Sequence, residues 1–174
     1  DVSLSGMSDP QLRFIFILSK IRLSKKEKKE LAALLQNSKL LPLFLNPRYV
    51  GYIYRHPCTP LSIKSIVKPL YDTNCLREKN IRKSYQELAP LELVAYKGFD
   101  ISLTYYPFIG MRYFIDIDCF SLKQDHARHT QMLFNKGYQQ RKTGQKIFHY
   151  QLGHSSFQKK QIILELHYLR NPSS

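Results

Sequence analysis

A pair of carboxylates within residues 111–122, MRYFIDIDCFSL, is the part of the sequence best suited to chemistry. Asp116 and Asp118 stand among β-branched and aromatic residues, a composition typical of a largely buried strand. Alternate residues of a strand share a face, so the two carboxylates are expected about 6–7 Å apart along one face. Two neighbouring anions repel each other and lose hydration on burial, which favours a cation between them. A divalent metal such as Mg²⁺ would supply it. Two solvated acids at a strand end, or an ion pair with Arg112, are the alternatives.

A third carboxylate stands alone near the end of the chain. After Asp125 the sequence contains a single acidic residue, Glu165, within the apolar and strand-like residues 161–168. A solitary acid in such a segment needs a cation, either a metal ion or a nearby lysine or arginine. His167 follows by two positions and is therefore expected on the same face of the strand.

The composition indicates a folded protein with polyanionic partners. The chain has 174 residues, 43% of them hydrophobic, and a formal net charge of +14. Such a charge favours nucleic acid, the phosphates of a nucleotide or an anionic membrane surface. The longest apolar stretch, residues 14–18, is too short to span a bilayer, and no signal peptide is recognised. The three cysteines contain no CxxC pair, which argues against a disulfide framework or a zinc site. The expected compartment is the cytoplasm.

The first half of the chain is predicted to be helical. Pro10 follows a capping candidate, Ser8 or Asp9, and begins a helix that includes residues 12–21. Ser24 and Glu27 form a capping-box pattern at the start of a helix over residues 25–35. Five prolines within residues 37–75 predict short helices and loops there, before a helix over residues 81–88.

The second half alternates strands and helices, which predicts an α+β or α/β module with a mixed sheet. The carboxylate pair lies on its second strand. The predicted elements are a strand at 91–96, a helix at 99–106, the acidic strand, a helix at 122–136 opened by Ser121, a hairpin of strands 138–141 and 146–152, and a strand at 161–168.

The order of these motifs resembles the uncharacterised bacterial nucleotidyltransferases of the DNA polymerase β superfold. The matching residues, spread over positions 91–169, are Lys97-Gly98, Arg112, Asp116-Ile117-Asp118, Gly137-Tyr138 and Glu165-Leu166-His167. The resemblance implies a polymerase β-type nucleotidyltransferase core over residues 89–174, with a mixed sheet flanked by helices. A helical N-terminal segment over residues 7–88 would precede it, and residues 1–6 are interpreted as a cloning remnant.

The resemblance also implies the chemistry and the metal ligands. The protein would transfer an NMP group from an NTP, with ATP as one candidate, by a mechanism that uses two Mg²⁺ ions. Asp116 and Asp118 would bind the ions that hold the triphosphate. Glu165 would complete the metal site and activate an acceptor hydroxyl.

Nucleotide binding is expected at the turn Lys97-Gly98, with contributions from Arg112 and His167. Backbone N–H groups at a strand-to-helix turn can hold phosphate oxygens, and a helix N-terminus favours anions. The superfamily at large usually has Gly-Ser at this turn, and the present sequence departs from it. Arg112 is expected either to neutralise phosphate or to brace Asp116.

The acceptor is open at this stage: a small molecule, a peptide or an RNA end. An alternative function is a basic nucleic-acid-binding module in which the nucleotidyltransferase core is impaired or truncated. The net charge of +14 favours it, as does the end of the sequence at Ser174, because family members usually continue with further helices.

Overall fold

Seven α-helices and a five-stranded mixed sheet form the part of the chain that the computed structural model describes, residues 9–20, 23–141 and 152–169. The α+β class is therefore as predicted. The helices are α1 (Pro10–Ser19), α2 (Lys25–Leu35), α3 (Leu41–Phe44), α4 (Pro47–Arg55), α5 (Leu61–Glu87), α6 (Lys97–Tyr105) and α7 (His126–Asn135). The strands are β1 (Val94–Tyr96), β2 (Asp116–Phe120), β3 (Gln139–Gln140), β4 (Leu152–Lys159) and β5 (Ile162–Leu169). Within these residues, none of the helices combines the length and apolar character needed to cross a membrane.

The chain divides into two compact units. One comprises Asp1–Leu76 together with Phe108–Tyr113, and the other comprises Arg77–Pro107 together with Phe114–Ser174. Helix α5 contributes residues to both units. The domain boundary expected after residue 88 stays a prediction.

The first unit is helical, and its first two helices begin as the sequence predicts. The Asp9 side chain accepts a hydrogen bond from the Gln11 N–H at the start of α1, with Pro10 in the first turn. At the start of α2, Ser24 and Glu27 form both hydrogen bonds of a capping box. The core of this unit contains Phe14, Ile17, Leu31, Leu35, Phe44, Val50, Ile53 and Val67.

Helix α5 is where the sequence-based prediction was wrong. The prolines predicted short helices and loops up to residue 75, whereas α5 is a continuous helix of 27 residues with Pro69 in its interior. A proline inside a helix costs about 3 kcal/mol or more, because it removes a hydrogen bond and crowds the preceding turn. Val67 and Tyr71 are buried in the core of the first unit and Ile81 in the core of the second. Burial at several positions along the helix offsets the cost of the proline.

The sheet of the second unit has one apolar and one polar face. Its strand order is β1-β2-β5-β4-β3, with β2 and β5 parallel and the other neighbours antiparallel. Residues paired across strands share a face, and residues alternate along each strand. The apolar face contributes Ile117, Cys119, Phe157, Leu164 and Leu166 to a core that also contains Ile81, Leu88, Phe99 and Leu133. The opposite face carries the carboxylates.

Apart from the hairpin, the element order predicted for this unit agrees with the structure, but several limits differ. The first strand is Val94–Tyr96, because Ala89–Leu91 forms a 3-10 turn and Glu92 adopts a left-handed conformation. Ser121 does not cap the next helix, which begins only at His126, after a 3-10 turn at Lys123–Asp125.

The hairpin strand predicted at residues 146–152 lies almost entirely outside the described residues. The strand that pairs with β3 is β4, with Gln139 opposite Gln158. Its glycine and two serines give it a weak strand pattern, so pairing with β5 along its whole length, rather than local propensity, accounts for its formation.

Candidate active site

Three carboxylates occupy the polar face of the sheet in the second unit. Asp116 and Asp118 belong to β2, and Glu165 on the parallel strand β5 pairs directly with Asp118. The side chains of Asp118 and Glu165 therefore project from neighbouring positions of the same face. Asp118 is buried, while Asp116 and Glu165 are half-buried. The parallel pairing thus brings the solitary acid of the C-terminal region beside the acidic pair.

Two basic side chains converge on the central carboxylate. Lys97 Nζ donates to Asp118 Oδ1 over 3.0 Å, and His167 Nε2 lies 3.0 Å from the same oxygen. His167 Nε2 is also 3.5 Å from Glu165 Oε2. Among the described residues, Asp118, Glu165 and His167 form a group whose possible metal-binding atoms all lie within 4.8 Å of one another.

These contacts decide how the carboxylates of the two strands ionise. Burial would raise the pKa of Asp118, but hydrogen bonds from His167 and Lys97 outweigh it and hold that pKa below its usual range. The hydrogen bond from His167 likewise lowers the pKa of Glu165 despite burial. Burial opposes protonation of His167, yet its bonds to the two carboxylates raise its pKa. Asp118 and Glu165 are therefore ionised at neutral pH.

The pKa of Asp116 is shifted in the opposite direction. Burial, followed by the negative charges of Asp118 and Glu165, raises the pKa of Asp116. The nearby basic groups therefore do not neutralise this end of the face fully. An unbalanced negative charge among half-buried carboxylates is the environment that a divalent cation would stabilise.

The turn ahead of α6 combines an unusual backbone conformation with the lysine. Lys97 adopts the left-handed region at φ 57°, which a non-glycine residue rarely occupies. Tyr96 precedes it as N-cap and provides no side-chain cap to the helix in the described structure. The first N–H groups of a helix have no partner within the helix itself, and here they follow the lysine directly. Gly98 lies in that first turn, so the backbone here suits an anion.

Aromatic rings fix the orientation of His167. The ring of Tyr96 meets it edge-on with centroids 5.4 Å apart, and the ring of His154 stacks on it at 5.6 Å. Sequence reasoning did not identify Tyr96 as part of the site. Its pairing with Asp118 across β1 and β2 places it there, and this register is not visible in the sequence.

A cavity of about 260 Å³ lies at the carboxyl end of β2. Val94, Phe120, Leu122 and Arg128 are among its lining residues. Phe120 lies two positions beyond Asp118 and so belongs to the same face of the sheet. The cavity also borders Glu92 and Asp125, and Arg128 pairs with Asp125, so it combines apolar surface with groups of both charges.

Some of the candidate residues predicted from sequence lie together in the structure, and others do not. Lys97, Asp118, Glu165 and His167 are joined by direct contacts or pairing, and Asp116 lies on the same face. Gly98 follows Lys97 in the first turn of α6. Arg112 belongs to the segment Phe108–Tyr113 of the other unit. Two further histidines belong to this region of the sequence: His154 lies on β4, and His149 falls outside the described residues.

A mixed sheet with a carboxylate-rich face, preceded by a strand-to-helix turn suited to phosphate, is the arrangement of a nucleotidyl-transferring protein. A family model described as an uncharacterised nucleotidyltransferase matches residues 79–172, more than half of the chain. The chain belongs to this family, and its general activity is accordingly that of a nucleotidyltransferase. No curated protein and no solved structure matches the chain significantly.

Proposed function

We propose that the protein transfers an NMP group from an NTP to an acceptor hydroxyl or phosphate in a reaction that uses two Mg²⁺ ions. The observation that supports this proposal is the convergence of Lys97, Asp118 and Glu165 on one face of the sheet. A cationic side chain, at the start of a helix without a side-chain cap, lies beside a carboxylate of this set. A metal-bound triphosphate requires both kinds of group.

The carboxylates would hold the metal ions. Asp116, Asp118 and Glu165 would supply oxygen ligands, and the raised pKa of Asp116 reflects its burial and then the neighbouring negative charges, both of which a cation would offset. The ions, when bound, would neutralise phosphate charge and stabilise the leaving pyrophosphate.

The remaining residues would position the triphosphate. The Lys97 ammonium would neutralise phosphate oxygens, while the backbone at Gly98 would donate N–H groups at the start of α6. The role expected for Arg112, phosphate binding or bracing of Asp116, stays a prediction from the sequence. His167 would reach the nucleotide, or the residues that hold the metal, from β5.

The transfer itself is an in-line displacement. The acceptor oxygen attacks the α-phosphorus while the bond from that phosphorus to the bridging β-phosphate oxygen breaks, and pyrophosphate leaves. When the acceptor is a hydroxyl, the carboxylate of Glu165 would take its proton; the hydrogen bond from His167 lowers the pKa of this carboxyl and so keeps it in the ionised form that a base requires. A small molecule, a peptide or an RNA end could be the acceptor, and the net charge of +14 favours a polyanionic one.

Isothermal titration with ATP, GTP, CTP and UTP in the presence of Mg²⁺ tests the proposal. At least one nucleotide should bind the wild-type protein, and Asp116→Ala and Asp118→Ala should each weaken that binding at least about tenfold. Asp72→Asn is the matched control, because its exposed carboxylate pairs with Lys68 in the other unit. Binding of none of the four nucleotides, or binding indifferent to both site substitutions, would refute the proposal.

A further inference from the structure

The imidazole of His167 is aimed at two carboxylates from different strands. Its Nε2 atom lies 3.0 Å from Asp118 Oδ1 on β2 and 3.5 Å from Glu165 Oε2 on its own strand. His167 is itself buried. One nitrogen and two carboxylate oxygens thus face a common point on the polar side of the sheet.

The spacing of these atoms is that of ligands around one ion. Two adjacent ligands of an octahedral cation are about 3.0 Å apart when each lies about 2.1 Å from it. The two distances from His167 Nε2 are close to this value. The Nε2 atom therefore lies at ligand spacing from each oxygen, and the oxygens lie within 4.8 Å of each other, so a shared cation could take the place of the Nε2 proton.

The surroundings keep the imidazole in this orientation and allow the cationic neighbour to move. The rings of Tyr96 and His154 contact His167 on two sides. Lys97, which shares the same Asp118 oxygen, has a side chain that is 53% exposed. A long, half-exposed side chain can give up one contact at small cost, whereas the buried histidine cannot turn away easily.

We propose that His167 is a metal ligand together with Asp118 and Glu165, so that this position prefers Mn²⁺ or a later first-row divalent cation to Mg²⁺. Mg²⁺ takes oxygen ligands almost exclusively, while imidazole nitrogen suits the first-row transition ions. The inference rests on the proposed function for the presence of two metal ions, and it replaces Mg²⁺ by one of these first-row ions at the one position that His167 contacts. A site of carboxylates alone would not discriminate in this way.

Pulsed electron paramagnetic resonance on the full chain loaded with Mn²⁺ tests the proposal without any assay of activity. The wild-type protein should give the electron spin-echo modulation of a directly bound ¹⁴N nucleus. His167→Gln should abolish this modulation and weaken Mn²⁺ binding at least about tenfold. His126→Gln is the matched control: it removes a histidine that contacts Ser155 and Tyr168, away from the carboxylates, and should retain the signal.

Competition between Mg²⁺ and Mn²⁺ for the protein provides the second readout. At least about a tenfold excess of Mg²⁺ should be needed to displace half of the bound Mn²⁺ from the wild-type protein. Absence of ¹⁴N modulation in the wild-type protein would overturn the proposal, and this measurement does not depend on any variant folding. Modulation that persists in His167→Gln, or equal affinity for the two ions, would also overturn it.

The outcome is separable from that of the proposed function. Nucleotide binding with Mn²⁺ that lacks ¹⁴N modulation would refute the role of His167 alone. Modulation without binding of any of the four NTPs would refute the proposed function and leave the metal ligand established.

Discussion

Replacement of Asp116 by asparagine should stabilise the protein in the absence of divalent cations and weaken its binding of metal and NTP. Burial and the charges of Asp118 and Glu165 raise the pKa of Asp116. The ionised form of Asp116 is therefore disfavoured in the folded state. Asparagine has nearly the same shape without the charge, so the substitution removes this repulsion along with a metal ligand.

The expected gain follows from the geometry of β2. Two unit charges about 6.5 Å apart, the spacing of alternate strand residues, repel by about 0.6 kcal/mol in water and about 2.6 kcal/mol at an effective dielectric constant of 20. Lys97 and His167 offset much of the charge of Asp118, and Asp116 is only half-buried. We therefore expect a gain of about 1 kcal/mol, or about 2–4 °C in the unfolding midpoint for a chain of this size.

Thermal unfolding followed by circular dichroism at pH 7 measures this effect. In EDTA, Asp116→Asn should unfold at a higher temperature than the wild-type protein, and the control Asp72→Asn should change the midpoint little. With Mg²⁺ and a bound NTP, the wild-type midpoint should rise more than that of Asp116→Asn, since a ligand stabilises the state it binds. A lower midpoint for Asp116→Asn in EDTA would refute the reasoning, as would an equal gain from Mg²⁺ and NTP.

The difference in stability between Asp116→Asn and the wild-type protein should also depend on pH in a definite direction. Because the pKa of Asp116 is raised in the folded protein, its destabilising effect is complete above the folded-state pKa and vanishes below the unfolded-state value. The difference in midpoint between Asp116→Asn and the wild-type protein should therefore shrink as the pH falls from 7 towards 4. A difference that widens over this range would contradict the assignment.

Three further predictions concern other parts of the chain. Gly51→Ala should destabilise the protein by about 2 kcal/mol or more in urea unfolding, because a Cβ at this position would overlap the Gly110 carbonyl oxygen. This loss should exceed the gain from the better helix propensity of alanine. An unchanged or raised urea midpoint would contradict the packing. Burial raises the pKa of the Cys119 thiol to about 12. Mass spectrometry should therefore find Cys119 unlabelled by iodoacetamide at pH 8 in the native protein and labelled in urea. Rapid labelling of the native protein would show that the strand opens. Lys97→Met should weaken NTP binding at least about tenfold in calorimetry, because the ammonium group beside Asp118 is lost from the start of α6. Unchanged NTP affinity would exclude Lys97 as a phosphate ligand.

Local signals predicted the starts of α1 and α2 and the acidic strand of the second unit. The Ser24–Glu27 capping box marked α2 correctly, since both of its hydrogen bonds form within four residues. The alternation around Asp116 and Asp118 identified β2 because side-chain direction in a strand depends only on position.

Features that depend on distant residues could not be read in this way. Pro69 predicts a break, but burial on both sides of it keeps α5 continuous. The partner of each strand was likewise hidden, so neither the identity of β4 nor the position of Tyr96 beside Asp118 was foreseen. The sequence offered Glu165 as an unusual residue, while only the parallel pairing of β2 and β5 brings it to Asp118.

A crystal structure of the protein soaked with Mn²⁺ and a non-hydrolysable NTP analogue would show whether the carboxylates of the sheet bind metal and nucleotide together. We expect anomalous difference density for Mn²⁺ on the polar face of the sheet, with oxygen atoms of Asp118 and Glu165 as ligands and the triphosphate at the start of α6. Mn²⁺ and the triphosphate bound elsewhere, with these carboxylates holding neither, would contradict it.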